Sequence, residues 1–154
     1  VDLIPLIESV LADHKVAALA RQLDMKVDLR PVELYGDRAK LQTLVDNLVS
    51  NAIKFSPEQG LLSVRLEMQG EQAVIEVADT GPGIPEDERR RVFDAFYQGS
   101  SSAIGHVKGT GLGLSIAREY ARAHNGYIEA IDNAGIGACL RVVLPTENHE
   151  VRCA

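Results

Sequence analysis

Seven of the chain's thirteen glycines fall between Gly81 and Gly113. Glycine at this density marks backbone that another group approaches closely or that takes dihedral angles other residues avoid, so this stretch cannot form an uninterrupted helix or strand. Pro82, Pro85 and Ser100 to Ser102 share it, and from Gly99 to Lys108 the sequence has neither helical nor strand period, which predicts a long loop. Compact domains keep such loops mostly for function, lids over ligands being the commonest case. The rest of the chain has an ordinary globular balance. Its 154 residues, 45% hydrophobic and 25% charged, predict one domain over 1–154 with a real core and no bulk disorder. No run reaches the ~18 apolar residues of a membrane span. Val1-Asp2-Leu3-Ile4-Pro5 lacks the basic flank of a signal peptide. A net charge of −6 argues against nucleic acid as a partner and leaves room for a local pocket for one small anion. Cys139 and Cys153 form neither a CxxC pair nor a disulfide framework, as expected of a reducing compartment.

Periodicity places the elements around the loop. Leu3, Ile7, Val10, Leu11, His14 and Ala18 recur at helical spacing and predict one helix to about Leu23. Val27 and Leu29 read as a short strand. A second helix opens at Asp37, a good N-cap, carries Leu41, Leu44, Val45, Leu48, Val49, Ala52 and Ile53 on one face, and ends at Ser56-Pro57. Leu62 to Met68 and Ala73 to Asp79 alternate as a hairpin about Gln69-Gly70-Glu71. The charged run Glu86 to Arg91 reads as a solvated helix face. A helix from about Gly111 to Asn125 meets Gly126 as its C′ residue, and strands at Tyr127–Asp132 and Ala138–Leu144 close the chain. This order predicts an α+β fold: a mixed, mainly antiparallel sheet with helices layered on one face.

Three groups could do chemistry. Asn47, Asn51 and Lys54 sit at i, i+4 and i+7, within an arc of about 60° on the second helix, so they can meet one ligand. Taken alone, the spacing fits a solvated face at least as well. An asparagine carbonyl suits Mg²⁺ shared with phosphates, and the lysine supplies a compact positive charge. Asp79 follows Ile75 and Val77 on the inward face of its strand, where an acid needs a partner. The glycines of Thr80-Gly81-Pro82-Gly83-Ile84 would let a flat ring reach it, and adenine's exocyclic amine is a suitable donor; the plainer alternative is an Asx turn. Gly109-Thr110-Gly111-Leu112-Gly113-Leu114 opens the later helix, whose free amides make an anion site. It fits neither the GxGxxG fingerprint nor a P-loop.

In order, Asn47 to Phe55, Asp79 to Ile84, Phe93-Asp94-Ala95-Phe96-Tyr97-Gln98 and Gly109 to Leu114 resemble the N, G1, F and G2 boxes of sensor histidine kinases. The resemblance spans nearly the whole chain and implies the two-layer Bergerat ATP-binding fold shared with gyrase, Hsp90-type and MutL proteins. It implies ATP and Mg²⁺ as cofactors, with Asn51 on the metal and Asn47 and Lys54 at the phosphates. Asp79 would read adenine beside Gly81, Gly83 and Ile84. Phe96 and Tyr97 would lead into an ATP lid running to Thr110, and Gly109, Thr110, Gly111, Leu112 and Gly113 would bind phosphate. The implied partners are the dimerisation domain bearing the phosphoacceptor histidine and a response regulator receiver domain. The implied context is the cytoplasmic part of a membrane-anchored, homodimeric sensor.

Departures from the family pattern shape the expectation further. Gln98 stands where many members carry arginine, and Lys108 is the candidate to replace its charge at the γ-phosphate. Ala138 stands where related ATPases often have a hydroxyl near adenine. No histidine has the acidic residue and proline of a phosphoacceptor box, since His14 precedes Lys15-Val16 and reads as a packed residue. Asn47 replaces the glutamate of the related hydrolases. The expected activity is therefore phosphoryl transfer to a histidine on a separate domain, ahead of a nucleotide-binding regulatory module or an ATPase of the gyrase type.

Overall fold

The computed structural model describes residues 1–81, 83–89, 91–94, 113–132 and 137–146, the side chain of Asp132 excepted. Helix α1, Leu3–Asp13, begins where the Asp2 carboxylate accepts from the Ile4 N–H at 3.2 Å, and it buries Leu3, Leu6, Ile7 and Val10. The expected continuation to Leu23 breaks at His14, and a separate α2, Lys15–Ala20, buries only Ala18. The apolar stripe of α1 meets His14 at its next position, and the imidazole turns to a later helix instead, with Nε2 2.7 Å from Asp46 Oδ1. Strand β1, Asp24–Leu29, follows. Helix α3, Arg38–Phe55, starts at the Asp37 cap, buries all seven expected apolar residues and stops at Ser56.

Strands β2, Leu61–Gln69, and β3, Gln72–Ala78, form the expected hairpin, with Gly70 at φ +64 in its turn. The charged run after Pro85 makes two 3₁₀ turns, Glu86–Glu88 and Arg91–Phe93, rather than a helix face. The run has no apolar member, and Val92 and Phe93 that follow it cannot supply a stripe long enough to dock a helix. Helix α4, Gly113–Ala123, and strands β4, Tyr127–Asp132, and β5, Ala138–Pro145, complete the described elements.

The sheet has the order β1-β2-β3-β5-β4, with β1 parallel to β2 and the other neighbours antiparallel. Its inner face packs Leu62, Val64 and Leu66 of β2, together with Ile75, Leu140, Val142 and Leu144, against α1, α3 and α4 in one core. This is the predicted two-layer α+β arrangement. On the outer face the register aligns Asp28, Arg65, Glu76, Arg141 and Glu129 in one row across all five strands. Glu76 lies 3.5 Å from Arg65 Nη1 and 3.0 Å from Arg141 Nε, and Arg141 Nη1 reaches Glu129 at 3.3 Å. Alternating signs put each charge opposite a counter-ion, the favourable cross-strand pairing. Val74, Cys139 and Val143 are buried beside this row.

The end of α4 corrects the expected cap by one residue. Asn125, at φ +62, is the left-handed C′ residue; its N–H donates to Arg122 O at 3.0 Å while that of Gly126 donates to Ala121 O at 2.9 Å. Gly126 is glycine for a different reason: a Cβ there would lie 2.2 Å from Val143 O. Just before it, His124 accepts the Asp37 N–H at Nε2 (3.0 Å), so its other nitrogen, 2.8 Å from Tyr120 O, carries the proton. The far end of α4 is thereby tied to the cap of α3.

Candidate nucleotide site

Helix α3 presents Asn47, Asn51 and Lys54 on one side, the asparagines half-buried and the lysine exposed. Asn47 Nδ2 is buried and has no hydrogen-bond partner among the described residues. Its Oδ1 is 3.7 Å from the position a Cβ on Gly113 would take, so the first residue of α4 lies against it. A buried donor left unpaired costs about 1–3 kcal/mol, and the N-terminal end of a helix beside it favours an anionic acceptor. The residues therefore fit a phosphate oxygen at this point. Of the F box, Phe93 is buried and Asp94 pairs with Arg118 of α4 at 3.3 Å.

Asp79 follows the last residue of β3 at only 4% exposure. Its Oδ1 accepts the Gly81 N–H at 2.8 Å, an Asx turn, and the Ala138 N–H at 3.4 Å, so the turn reading and the inward acid both describe the same residue. Burial holds this carboxyl above its ordinary 3.8, against the opposing pull of the Gly81 and Ala138 amides. Since the folded protein binds that proton more tightly than the unfolded chain, protonation contributes stability that is complete below the unfolded value near 3.8 and is lost as pH rises through the folded one. Thermal unfolding of the parent chain and Asp79→Asn from neutral pH towards that value should show the parent gaining relative to the variant as pH falls. A parent that loses ground throughout would contradict the sign.

Two glycines here answer to neighbouring backbone. A Cβ on Gly81 would lie 2.2 Å from Phe55 O, so the turn after Asp79 packs directly on the end of α3. Gly83, at φ +77, stacks on Gly137, whose carbonyl oxygen is 3.2 Å from its Cβ position. Ile84 is half-buried against the core, and the Thr80 hydroxyl accepts the Leu61 N–H at 3.1 Å. The site's floor is thus built from α3, the β3 turn and the start of β5. In the sequence Ala138 stands out only by its missing hydroxyl, whereas the structure uses its N–H; the Gly135-Ile136-Gly137 spacing just before a strand is the available signal. Cys139 beside it is a free thiol that burial, and next Glu76, push up to about 12, so it is no nucleophile.

Phe96, Tyr97, Gln98, Lys108, Gly109, Thr110, Gly111 and Leu112, with the rest of the lid segment, lie outside the described residues, as do His106, His149 and Cys153. Among the described residues no helix is long and apolar enough to cross a membrane.

Known proteins share both sequence and shape with this chain. The family described as histidine kinase-, DNA gyrase B-, and HSP90-like ATPase matches residues 36–148. The chain belongs to this ATPase family. Among its relatives, the sensor histidine kinase GlrK of Escherichia coli K12 is 38% identical over 149 residues, which are 97% of this chain and 31% of GlrK. The chain therefore spans about a third of that relative. The mycobacterial sensor histidine kinase MprB superposes with a TM-score of 0.85 at 32% identity, covering 96% of this chain and 97% of the solved one. Full-length ShkA, solved in complex with AMPPNP, superposes at 0.81 with 28% identity over 94% of this chain and 30% of its own. The fold is that of histidine kinase catalytic domains.

Proposed function

We propose that this chain binds ATP with Mg²⁺ and presents the γ-phosphoryl group to a histidine on a separate dimerisation domain of a sensor kinase. The carrying observation is the pairing of a buried carboxylate, Asp79, with the orphan amide of Asn47 at the start of α4. One end suits a base with an amine edge and the other a phosphate. The AMPPNP bound by ShkA, an ATP analogue, agrees with this ligand class. Asn51 would hold Mg²⁺ through its carbonyl, sharing it with phosphate oxygens and so neutralising part of their charge. Asn47 donates to the phosphates, Lys54 supplies positive charge nearby, and Asp79 orients the base. By resemblance, Lys108 and the second glycine run complete the phosphate end.

No side chain of this set is a nucleophile, so the protein's contribution is positioning and charge stabilisation. The incoming imidazole nitrogen forms the N–P bond as the bridging P–O bond breaks, and ADP leaves with that oxygen. The amide of Asn47 cannot take a proton from water at neutral pH, which disfavours hydrolysis. The described histidines do not suit the acceptor role: His14 is engaged by Asp46, and both ring nitrogens of His124 are occupied. The parent protein is read as a homodimeric, membrane-anchored sensor that passes phosphate to a response regulator receiver domain. Asn51→Ala should weaken ATP binding about tenfold in Mg²⁺ and little in EDTA, read by calorimetry. An equal loss in both conditions would remove Asn51 from the metal.

A further inference from the structure

We propose that Gly137, at the mouth of β5, is a positioning residue for the base-reading carboxylate of Asp79, an inference that rests on the nucleotide reading above. Gly137 has φ +85, where L side chains are strained. The space it leaves is also filled. A Cβ there would lie 2.1 Å from Asp79 O and 2.8 Å from both the Asp79 carbonyl carbon and Thr80 Cα. All of these are backbone atoms, which cannot swing aside as the end of a long side chain can.

The close approach has a specific product. It lets the next residue exchange two bonds with Asp79: the Asp79 N–H donates to Ala138 O at 2.9 Å, and the Ala138 N–H donates to Asp79 Oδ1 at 3.4 Å. A second donor to Oδ1, the Gly81 N–H, belongs to the aspartate's own turn and travels with it. The bond from β5 instead ties the carboxylate to the sheet. Gly83 stacks on the carbonyl of Gly137, so moving Gly137 also disturbs the turn that flanks the base. Gly137 thus acts on the ligand through Asp79, without touching it.

Gly70 provides the control. It too has a positive φ, +64, but nothing lies within 4 Å of its Cβ position. Gly70→Ala incurs backbone strain alone, whereas Gly137→Ala adds a collision with Asp79. The 154-residue chain and both variants should be titrated with ATP and with GTP at a temperature where circular dichroism shows each folded. Gly137→Ala should lose about tenfold in ATP affinity and a similar factor in the ATP-to-GTP ratio. Gly70→Ala should lower the melting temperature and leave both quantities within about twofold. Should Gly137→Ala not fold, Ala138→Pro removes the N–H that Asp79 Oδ1 accepts and sets its ring against that carboxylate rather than against the Asp79 backbone, at a strand's first residue where proline is tolerated, and should reduce the ratio similarly. An unchanged ratio in the folded variant, or an equal fall in Gly70→Ala, would overturn the proposal while leaving the nucleotide reading intact. If Asp79→Asn itself discriminates as the parent does, the reading of the pocket fails and this inference falls with it.

Discussion

Asp79→Asn should erase most of the preference for ATP over GTP while leaving the chain folded. A carboxylate accepts from the exocyclic amine of adenine and repels the carbonyl that guanine presents at the same edge; an amide can meet either. Hydrogen bonds to a charged group contribute about 1.5–3 kcal/mol, so ATP affinity should fall roughly ten- to hundredfold, with GTP affinity unchanged or higher. The fold should tolerate the change because the group is desolvated and its carboxyl is already held above the usual range. Calorimetric titration with both nucleotides, beside a melting curve, reads the two effects separately. Equal affinity of the parent chain for ATP and GTP would refute the assignment before any variant is made.

The second large effect concerns transfer. Incubated with γ-labelled ATP, the isolated chain should acquire no acid-labile phosphate, since His14 and His124 are engaged and no histidine has an acceptor's sequence context. Mixed with the dimerisation domain of its parent, it should label that domain. The rate should be roughly a hundredfold below that of the tethered kinase at about 10 µM of each, because a short linker supplies a millimolar effective concentration. Lys108→Ala then tests the replacement for the arginine missing at Gln98: a large fall in transfer with nearly unchanged ATP binding places the ammonium at the transferring group. Stable label on one of the chain's own histidines would overturn the reading. Binding without any transfer to the parent's acceptor would favour the regulatory module.

The elements with strong periodicity were legible before the structure. Asp37 caps α3, and its seven apolar residues are all buried, because an amphipathic pattern that long has one way to face a core. The break at His14 was not legible: imidazole fits an apolar stripe by spacing, and only the presence of Asp46 on a distant helix decides that it turns away. The cap of α4 failed by one position, since glycine preference names Gly126 while the steric demand on it comes from Val143 in another strand. At the site, the types and order of Asn47, Asn51 and Asp79 could be read directly. The partners of Asp79 could not, because Ala138 contributes a backbone N–H, which every residue but proline carries and no side chain advertises.

The tie between His124 and the α3 cap fixes the end of α4 that is remote from Asn47. One end is held by Asp37 and by the turn into β4, while the other, Gly113, rests on Asn47. From Gly113 to Ala123 the helix axis is about 15 Å long, so a tilt of about 10° at the tied end would carry Gly113 through roughly 2.6 Å. That is the scale on which a hydrogen bond is made or lost. A displacement of α4 about this tie would therefore be largest at Gly113, beside the amide of Asn47.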